Sequence, residues 1–341
     1  MPSRRDILKA GLVVPIALAA PAILARPARA QAALRIQGFL AAASPTHRAF
    51  EAMAARLAER SGGALTIQTL PAGSVVGPAE TIDAVGAGIL DGHYSSSSFF
   101  AARNPAFIVY GDTGASYDDV ATRDRWYSEG DGEALGRELY DGYDMHYVAN
   151  VFWPSEHIPA TKALNGVADL QNLKIRVPPG MISEIFGMAG AAVVNLPGGE
   201  VFNALQSGVI DATDWASPGQ NEEVGLYRVA KFSVNAAHSM PATEIALSKR
   251  AWDGLSDEHR AMLEEEIRAM SAGLREQVSA DDAAAIEKIR GEGVTIIEWP
   301  AEEVAKLRGL TSRKQDEIAG RDPLAAKIVA SHRAFQEKVG I

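Results

Sequence analysis

The chain has 341 residues, with 33 lysines and arginines against 43 aspartates and glutamates, a net charge of −10 at pH 7, and no cysteine. Disulfide scaffolds, thiolate zinc sites and cysteine nucleophiles are thereby excluded, and the acidic balance argues against a nucleic-acid-binding face. Hydrophobic residues at 47% and charged residues at 22% are ordinary globular values, and the length suffices for two buried cores.

Residues 2–9 read Pro-Ser-Arg-Arg-Asp-Ile-Leu-Lys, an uncharged run extends from Ala10 to Leu24, and Ala28-Arg29-Ala30 is a small-x-small cleavage pattern. That is the order of a secretory signal, and Ser-Arg-Arg-x-Ile-Leu-Lys resembles the twin-arginine type, with Ile7 where Phe is commoner. The apolar run falls short of the ~20 residues that span a bilayer. Residues 1–30 carry Arg4, Arg5, Lys9, Arg26 and Arg29 against Asp6, a net +4, so their removal takes the chain from −10 to −14. The expected address is the periplasm.

Strands and helices then alternate. Leu34 to Phe39 reads as a strand, Ser44-Pro45 caps a helix bearing Phe50, Met53, Ala54 and Leu57, and Gly62-Gly63 ends it. Leu65 to Leu70 is a second strand, Glu80 to Ala87 a helix, and Ile89 to Gly92 leads into a third strand, which implies crossover units and a mainly parallel sheet. A second, smaller α/β unit starts near Asn150. It holds strands at Leu173–Val177, Val193–Leu196 and Ile210–Trp215, and helices at Met181–Gly190 and Gly199–Gly208. Thr243 to Leu247 is a further strand. From Leu255 to Arg290, Leu263, Ile267, Met270 and Leu274 form one stripe of a proline-free helix of about 54 Å, long enough to lie across both units. Helices over Glu302–Gly320 and Pro323–Gly340 close the chain, and crossings between the units are expected near 150–155 and 236–244.

Signatures of P-loops, zinc proteases, serine hydrolases and dinucleotide folds are missing from the sequence, and the seven histidines show no metal-ligand pairing on one helix. Ser95 to Ser98, at a strand's carboxyl end, can donate hydrogen bonds to a ligand or simply form a loop. Arg176 interrupts an apolar strand, where a guanidinium needs either an internal acid or a ligand carboxylate. Asp214-Trp215 ends another strand, a carboxylate for a hard cation beside a ring that can wall a pocket. Glu244 adds a third polar group near the crossing.

Leu173-Lys174-Ile175-Arg176-Val177, Gly190-Ala191 and the run from Glu200 to Ala212 with Ala-Leu-Gln-Ser-Gly-Val-Ile-Asp resemble the DctP-type solute receptors of tripartite ATP-independent periplasmic (TRAP) transporters. Gly62 to Ile67, Pro71-Ala72-Gly73 and Ser248 to Leu255 are similar to other parts of that family, so that the resemblance covers about residues 33–338. Asp214-Trp215, Pro218 and the segment Gly225 to Lys231 are similar to its 2-oxo monocarboxylate branch.

The resemblance implies an α/β two-domain periplasmic binding protein of type II-like architecture, with ligand in the interdomain cleft and a long helix spanning both domains. Its boundaries would be a signal peptide at 1–30, a first domain at 31–152 completed by part of 240–300, a second at 153–238, and the spanning and C-terminal helices at 255–341. It implies capture of a small organic acid for TRAP membrane permease subunits, with no catalytic residues. Arg176, Trp215, Ser155, Glu156, Ser97 and Asn203 would touch the substrate, and Asp214, Trp215 and Glu244 would hold a Na⁺ or Ca²⁺ bridging it. Asp214 replaces the branch's usual Glu, and Ser155 or Glu156 stands where it has a Gln. Its second metal-ligand Glu has no clear match, with His238, Met240 and Glu244 nearest. The apolar residues of the last helix, Leu324, Ile328, Val329, Phe335 and Val339, resemble a helix exchanged between subunits of a homodimer, or else cover the chain's own surface. Two competing functions are a periplasmic enzyme using Asp214, Glu244 and His238 as acid/base groups, and a ligand-sensing subunit.

Overall fold

The Ser44 hydroxyl accepts a hydrogen bond from the His47 amide at 3.1 Å and Pro45 occupies the first turn, so the second element starts where its cap signal lies. The computed structural model describes residues 32–178 and 180–341; the signal read over residues 1–30 lies outside them. Through the first lobe the elements are β1 (Ala32–Gly38), α1 (Pro45–Arg60), β2 (Leu65–Leu70), α2 (Thr81–Gly86), β3 (Gly92–Ser95), α3 (Pro105–Gly111), α4 (Val120–Glu129), α5 (Gly132–Asp141) and β4 (Met145–Val151). After a crossing come β5 (Ile158–Ala160), β6 (Lys174–Arg176), α6 (Met181–Met188), β7 (Ala192–Val194), α7 (Val201–Ser207), β8 (Ala212–Thr213), α8 (Pro218–Glu223) and β9 (Phe232–Asn235). The chain returns through β10 (Thr243–Ser248), α9 (Lys249–Asp253), α10 (Asp257–Gly291), β11 (Thr295–Glu298), α11 (Ala301–Ala319) and α12 (Pro323–Val339).

Two sheets result, ordered β2-β1-β3-β10-β4 and β11-β9-β5-β8-β6-β7. In the first, β1 runs parallel to β2 and β3, while β10 inserts antiparallel between β3 and β4. Every residue of β10 is buried, as a central strand covered on both faces requires. In the second, β6 is parallel to both β7 and β8, and β11 adds a parallel edge beside β9. The strand expected over Ile210–Trp215 is assigned only at Ala212–Thr213, although the amides of Asp211 and Asp214 still donate to the carbonyls of Lys174 and Arg176 at 2.7 and 2.8 Å. Gly208 ends α7 with φ 72°, a left-handed cap that favours glycine.

Residues 152–157 and 236–242 carry the chain between the sheets, and α10 makes a third passage from β10 to β11. Its 35 residues span about 52 Å, and Leu263, Ile267, Met270 and Leu274 are buried along it. Glu266 of α10 accepts from Arg56 and Arg60 of α1 at 2.8 and 2.7 Å. Farther along, Asp282 accepts from the Ser217 hydroxyl at 2.6 Å and the Gly219 amide at 2.8 Å. One rigid rod is thus tied to a helix of each lobe. No helix among the described residues is long and apolar enough to cross a membrane.

The apolar face of α12 is packed within its own chain. Ala325, Ile328, Val329 and Phe335 are buried in this chain, α12 packs on α3, α5 and α11, and His332 stacks on Trp126 with ring centroids 3.6 Å apart. Within this chain that stripe is covered by α3, α5 and α11, the alternative to subunit exchange.

Candidate functional site

The ends of three strands meet between the sheets. The loop after β3 brings Ser96 to Phe99, β6 ends at Arg176, β8 leads into Asp214-Trp215, and the two crossings bring Trp153–Glu156 and His238–Pro241. Among them opens a cavity of about 190 Å³ whose wall includes Asp112, Glu156, Asp214 and Ser239, with Arg176, Trp215 and His238 set outside that wall. A larger groove of about 980 Å³ lies along α10 between α1 and α8, but none of Glu156, Asp214, Ser239 or Arg176 lines it. Size alone does not mark the site. The smaller cavity is the one that gathers the unusual side chains. Gly111, at the end of α3, permits this gathering: a Cβ there would lie 2.5 Å from the Ser98 amide nitrogen.

Glu156, Asp214 and His238 each place a ligand atom within 4.8 Å of the others. His238 Nε2 lies 2.9 Å from Asp214 Oδ1, which gives the imidazole a donor role there and leaves its buried Nδ1 without a partner. The Ser239 hydroxyl stands 2.8 Å from Asp112 Oδ2 and 2.9 Å from Glu156 Oε2. A hydroxyl has one proton to donate, so a second proton or a cation must serve the other carboxylate. Burial drives Glu156 well above the ordinary carboxylate range, and the charges of Asp214 and Asp112 push it the same way. Asp112 is raised for the same first reason, opposed by the Gly114 amide and Ser239. Three acids crowded out of water are an arrangement that a cation would relieve.

Arg176 stands behind Asp214 rather than in the cavity wall. Its Nη1 donates to the Asp214 carbonyl at 3.0 Å, its Nε to the Leu196 carbonyl at 3.3 Å, and its guanidinium lies 5.2 Å from the centroid of the half-buried Trp215 ring. Among the described residues no carboxylate is within ion-pairing distance of it; Asp214 and Glu156 lie close enough to favour its charge, but burial outweighs them and lowers its pKa. Trp215 is approached closely by Gly198, where a Cβ would sit 2.8 Å from its ring.

The remaining sequence candidates separate. Glu156 joins the acid group, and the half-buried Ser155 leaves its hydroxyl without a partner. Ser97 and Glu244, by contrast, belong to a different cluster: Glu244 Oε1 accepts from the Ser97 hydroxyl at 3.0 Å and from the Tyr140 hydroxyl at 2.5 Å. Glu244 is thus engaged inside the first lobe through Oε1, while its buried Oε2 has no partner, and it is not among the grouped ligand atoms of Glu156, Asp214 and His238. Asn203 sits exposed on α7, a helix whose residues line neither cavity. Asp112 and Ser239 were not singled out by sequence. The only trace of Asp112 is an acid placed directly after an apolar helix, at the end its dipole disfavours.

Burial raises Glu244 from an ordinary 4.5 to about 8. The folded chain holds that proton where the unfolded chain has lost it. Stability from this group is therefore full below 4.5 and falls by about 1.4 kcal/mol per pH unit as pH rises toward 8. Calorimetric melting at pH 5 and pH 8.5 should show wild type losing more stability over this range than Glu244→Gln; equal losses would place the proton elsewhere.

The family profile described as bacterial extracellular solute-binding protein, family 7 (DctP), matches residues 36–321. A monocarboxylate 2-oxoacid-binding periplasmic protein of Nostoc sp. is 24% identical over 297 residues, covering 85% of this chain and 80% of that protein. A TRAP periplasmic solute binding protein from Rhodobacter sphaeroides, solved as an apo open structure, is 30% identical with a TM-score of 0.81, covering 90% of this chain and 98% of that one. Another, from Pseudoalteromonas atlantica with bound sodium and pyruvate, is 24% identical with a TM-score of 0.77, covering 91% and 95%. Its two sheets, the long helix joining them and the span of this match agree: the chain belongs to the DctP family of bacterial extracellular solute-binding proteins.

Proposed function

We propose that this protein is the periplasmic receptor of a TRAP transporter, capturing a small organic acid of the 2-oxo or hydroxy monocarboxylate class and handing it unchanged to the membrane permease subunits. The observation that carries the reading is Arg176, a guanidinium partly withdrawn from water with no carboxylate partner among the described residues, beside a cavity. A planar fork in that state matches a carboxylate supplied from outside. The 2-oxoacid named for the Nostoc relative supports this choice of acid. In this reading Arg176 takes the substrate carboxylate, Trp215 backs it, and Ser155 offers its unpartnered hydroxyl.

Na⁺ or Ca²⁺ fits the acids nearby, because both cations take hard oxygen donors and Glu156 and Asp214 supply them. His238 then orients Asp214 through Nε2 rather than ligating. When bound, the cation supplies positive charge that offsets the buried carboxylates and draws in a substrate oxygen. The sodium bound with pyruvate in the Pseudoalteromonas protein supports this role.

A thermal-shift screen of organic acids, with and without added Na⁺ or Ca²⁺, tests the reading. A ligand at one hundred times its Kd stabilises by about 2.7 kcal/mol, a rise of roughly 4 °C for a chain of this size. Shifts should appear with 2-oxo or hydroxy monocarboxylates and grow with the cation. Flat melting curves with every acid, in every salt, would refute the proposal.

A further inference from the structure

Glu156 and Asp214 come from separate segments, and a buried hydrogen-bonded circuit ties those segments together just beyond each acid. Glu156 is followed by His157, and Asp214-Trp215 by Ala216. The His157 amide donates to the Ala216 carbonyl at 2.9 Å, an isolated antiparallel bridge between the first crossing and the loop after β8. Asn221 of α8 closes on the same residue. Its Oδ1 accepts from the Ala216 amide at 3.1 Å and its Nδ2 donates to the Ala216 carbonyl at 2.8 Å, so one side-chain amide serves both backbone groups as a neighbouring strand would. Asn221 Nδ2 also lies 3.4 Å from the Tyr227 hydroxyl, which stands 2.7 Å from Ser233 Oγ, and that oxygen is 3.1 Å from His157 Nδ1. The circuit thus returns to its start. Because an amide nitrogen only donates, the Tyr227 proton is free for Ser233 and the Ser233 proton for His157. Asn221 and Ser233 are fully buried, and no member of the circuit lines the cavity. Apolar side chains could fill the same space, whereas a closed set of directional bonds specifies a distance.

We infer that Asn221 is a positioning residue for the acid group: through Tyr227, Ser233 and His157 it fixes the separation of Glu156 from Asp214, and with it the affinity of that pair for a cation. This rests on the function proposed above and deepens it by naming what sets the cation site. His238 orients Asp214 from the second crossing, while the circuit holds Glu156 at its distance from the first. Ca²⁺ takes its oxygens at ~2.3–2.6 Å, so two carboxylates that drift apart by about 1 Å cannot both reach it.

Calorimetric titration of the purified protein with Ca²⁺, alone and with excess pyruvate, tests this on wild type, Asn221→Ala and Tyr227→Phe. Asn221→Ala should weaken Ca²⁺ binding about tenfold or more, as when the partner behind a metal ligand is removed. Tyr227→Phe keeps the ring's packing, loses only the hydroxyl, and should weaken it about threefold. The ratio of Ca²⁺ to Mg²⁺ affinity should fall in both variants, since Mg²⁺ demands shorter bonds and a stricter geometry; a loss of stability alone does not move that ratio. Melting curves establish that each variant is folded at the titration temperature, and Tyr227→Phe decides the matter if Asn221→Ala is not. Folded variants that bind Ca²⁺ within about twofold of wild type, at an unchanged ratio, would make the circuit ordinary packing, and the inference falls while the receptor reading stands. A wild type that takes up no Ca²⁺ under either condition overturns the inference together with the cation assigned above.

Discussion

Arg176→Met is expected to weaken 2-oxo acid binding at least a hundredfold, about 2.7 kcal/mol or more, because in the proposed reading the substrate carboxylate loses its guanidinium partner in a poorly hydrated site. Arg176→Lys should recover a part, since an ammonium supplies the charge without the planar fork. The guanidinium also donates to the Leu196 and Asp214 carbonyls, so the Met variant should lose stability as well, by about 1–3 kcal/mol. Titration calorimetry separates the two effects by reading affinity on protein that remains folded. Affinity within threefold of wild type would make Arg176 a structural clip between β6 and the loop after β8.

The second large effect is on the frame around the site. Arg123 of α4 is 1% exposed and donates through Nη1 to the carbonyls of Met240 and Pro241 and through Nη2 to the carbonyl of Trp153. It therefore holds both crossing segments at once, beside Asp124, which also pairs with Arg275 of α10. Arg123→Met keeps much of the side-chain volume but takes a buried charged donor from three carbonyls. The expected cost is about 3–5 kcal/mol, a fall in Tm of roughly 4–7 °C by differential scanning calorimetry. A loss below about 1 kcal/mol would mean that the crossings are held by β10 and α10 without it.

Local signals were readable in advance because their physics is local. The Ser44-Pro45 cap, the Leu263-to-Leu274 stripe and the guanidinium inside the strand at Leu173–Val177 each depend on a few neighbouring residues. The acid group was only half legible. Asp214 lies next to a strand end and could be picked out, but Asp112 reaches Ser239 across 127 positions and Glu156 reaches it across 83. Nothing local to any of them signals the meeting. Glu244 shows the same limit in reverse: an acid on a strand near the crossing invited a ligand role, and Ser97, 147 residues away, had already engaged it. Helical periodicity likewise marks which face of α12 is apolar but not whose surface covers it, and α3, α5 and α11 of the same chain do.

A crystal structure of the protein grown with a 2-oxo monocarboxylate and Ca²⁺ tests the central claim most directly. The account predicts the carboxylate against the Arg176 guanidinium, with the cation held by oxygen atoms of Asp214 and Glu156 and the remainder of the acid in the cavity between the two sheets. An acid seated elsewhere, in the groove along α10 for example, or a carboxylate bound without contact to Arg176, would contradict it.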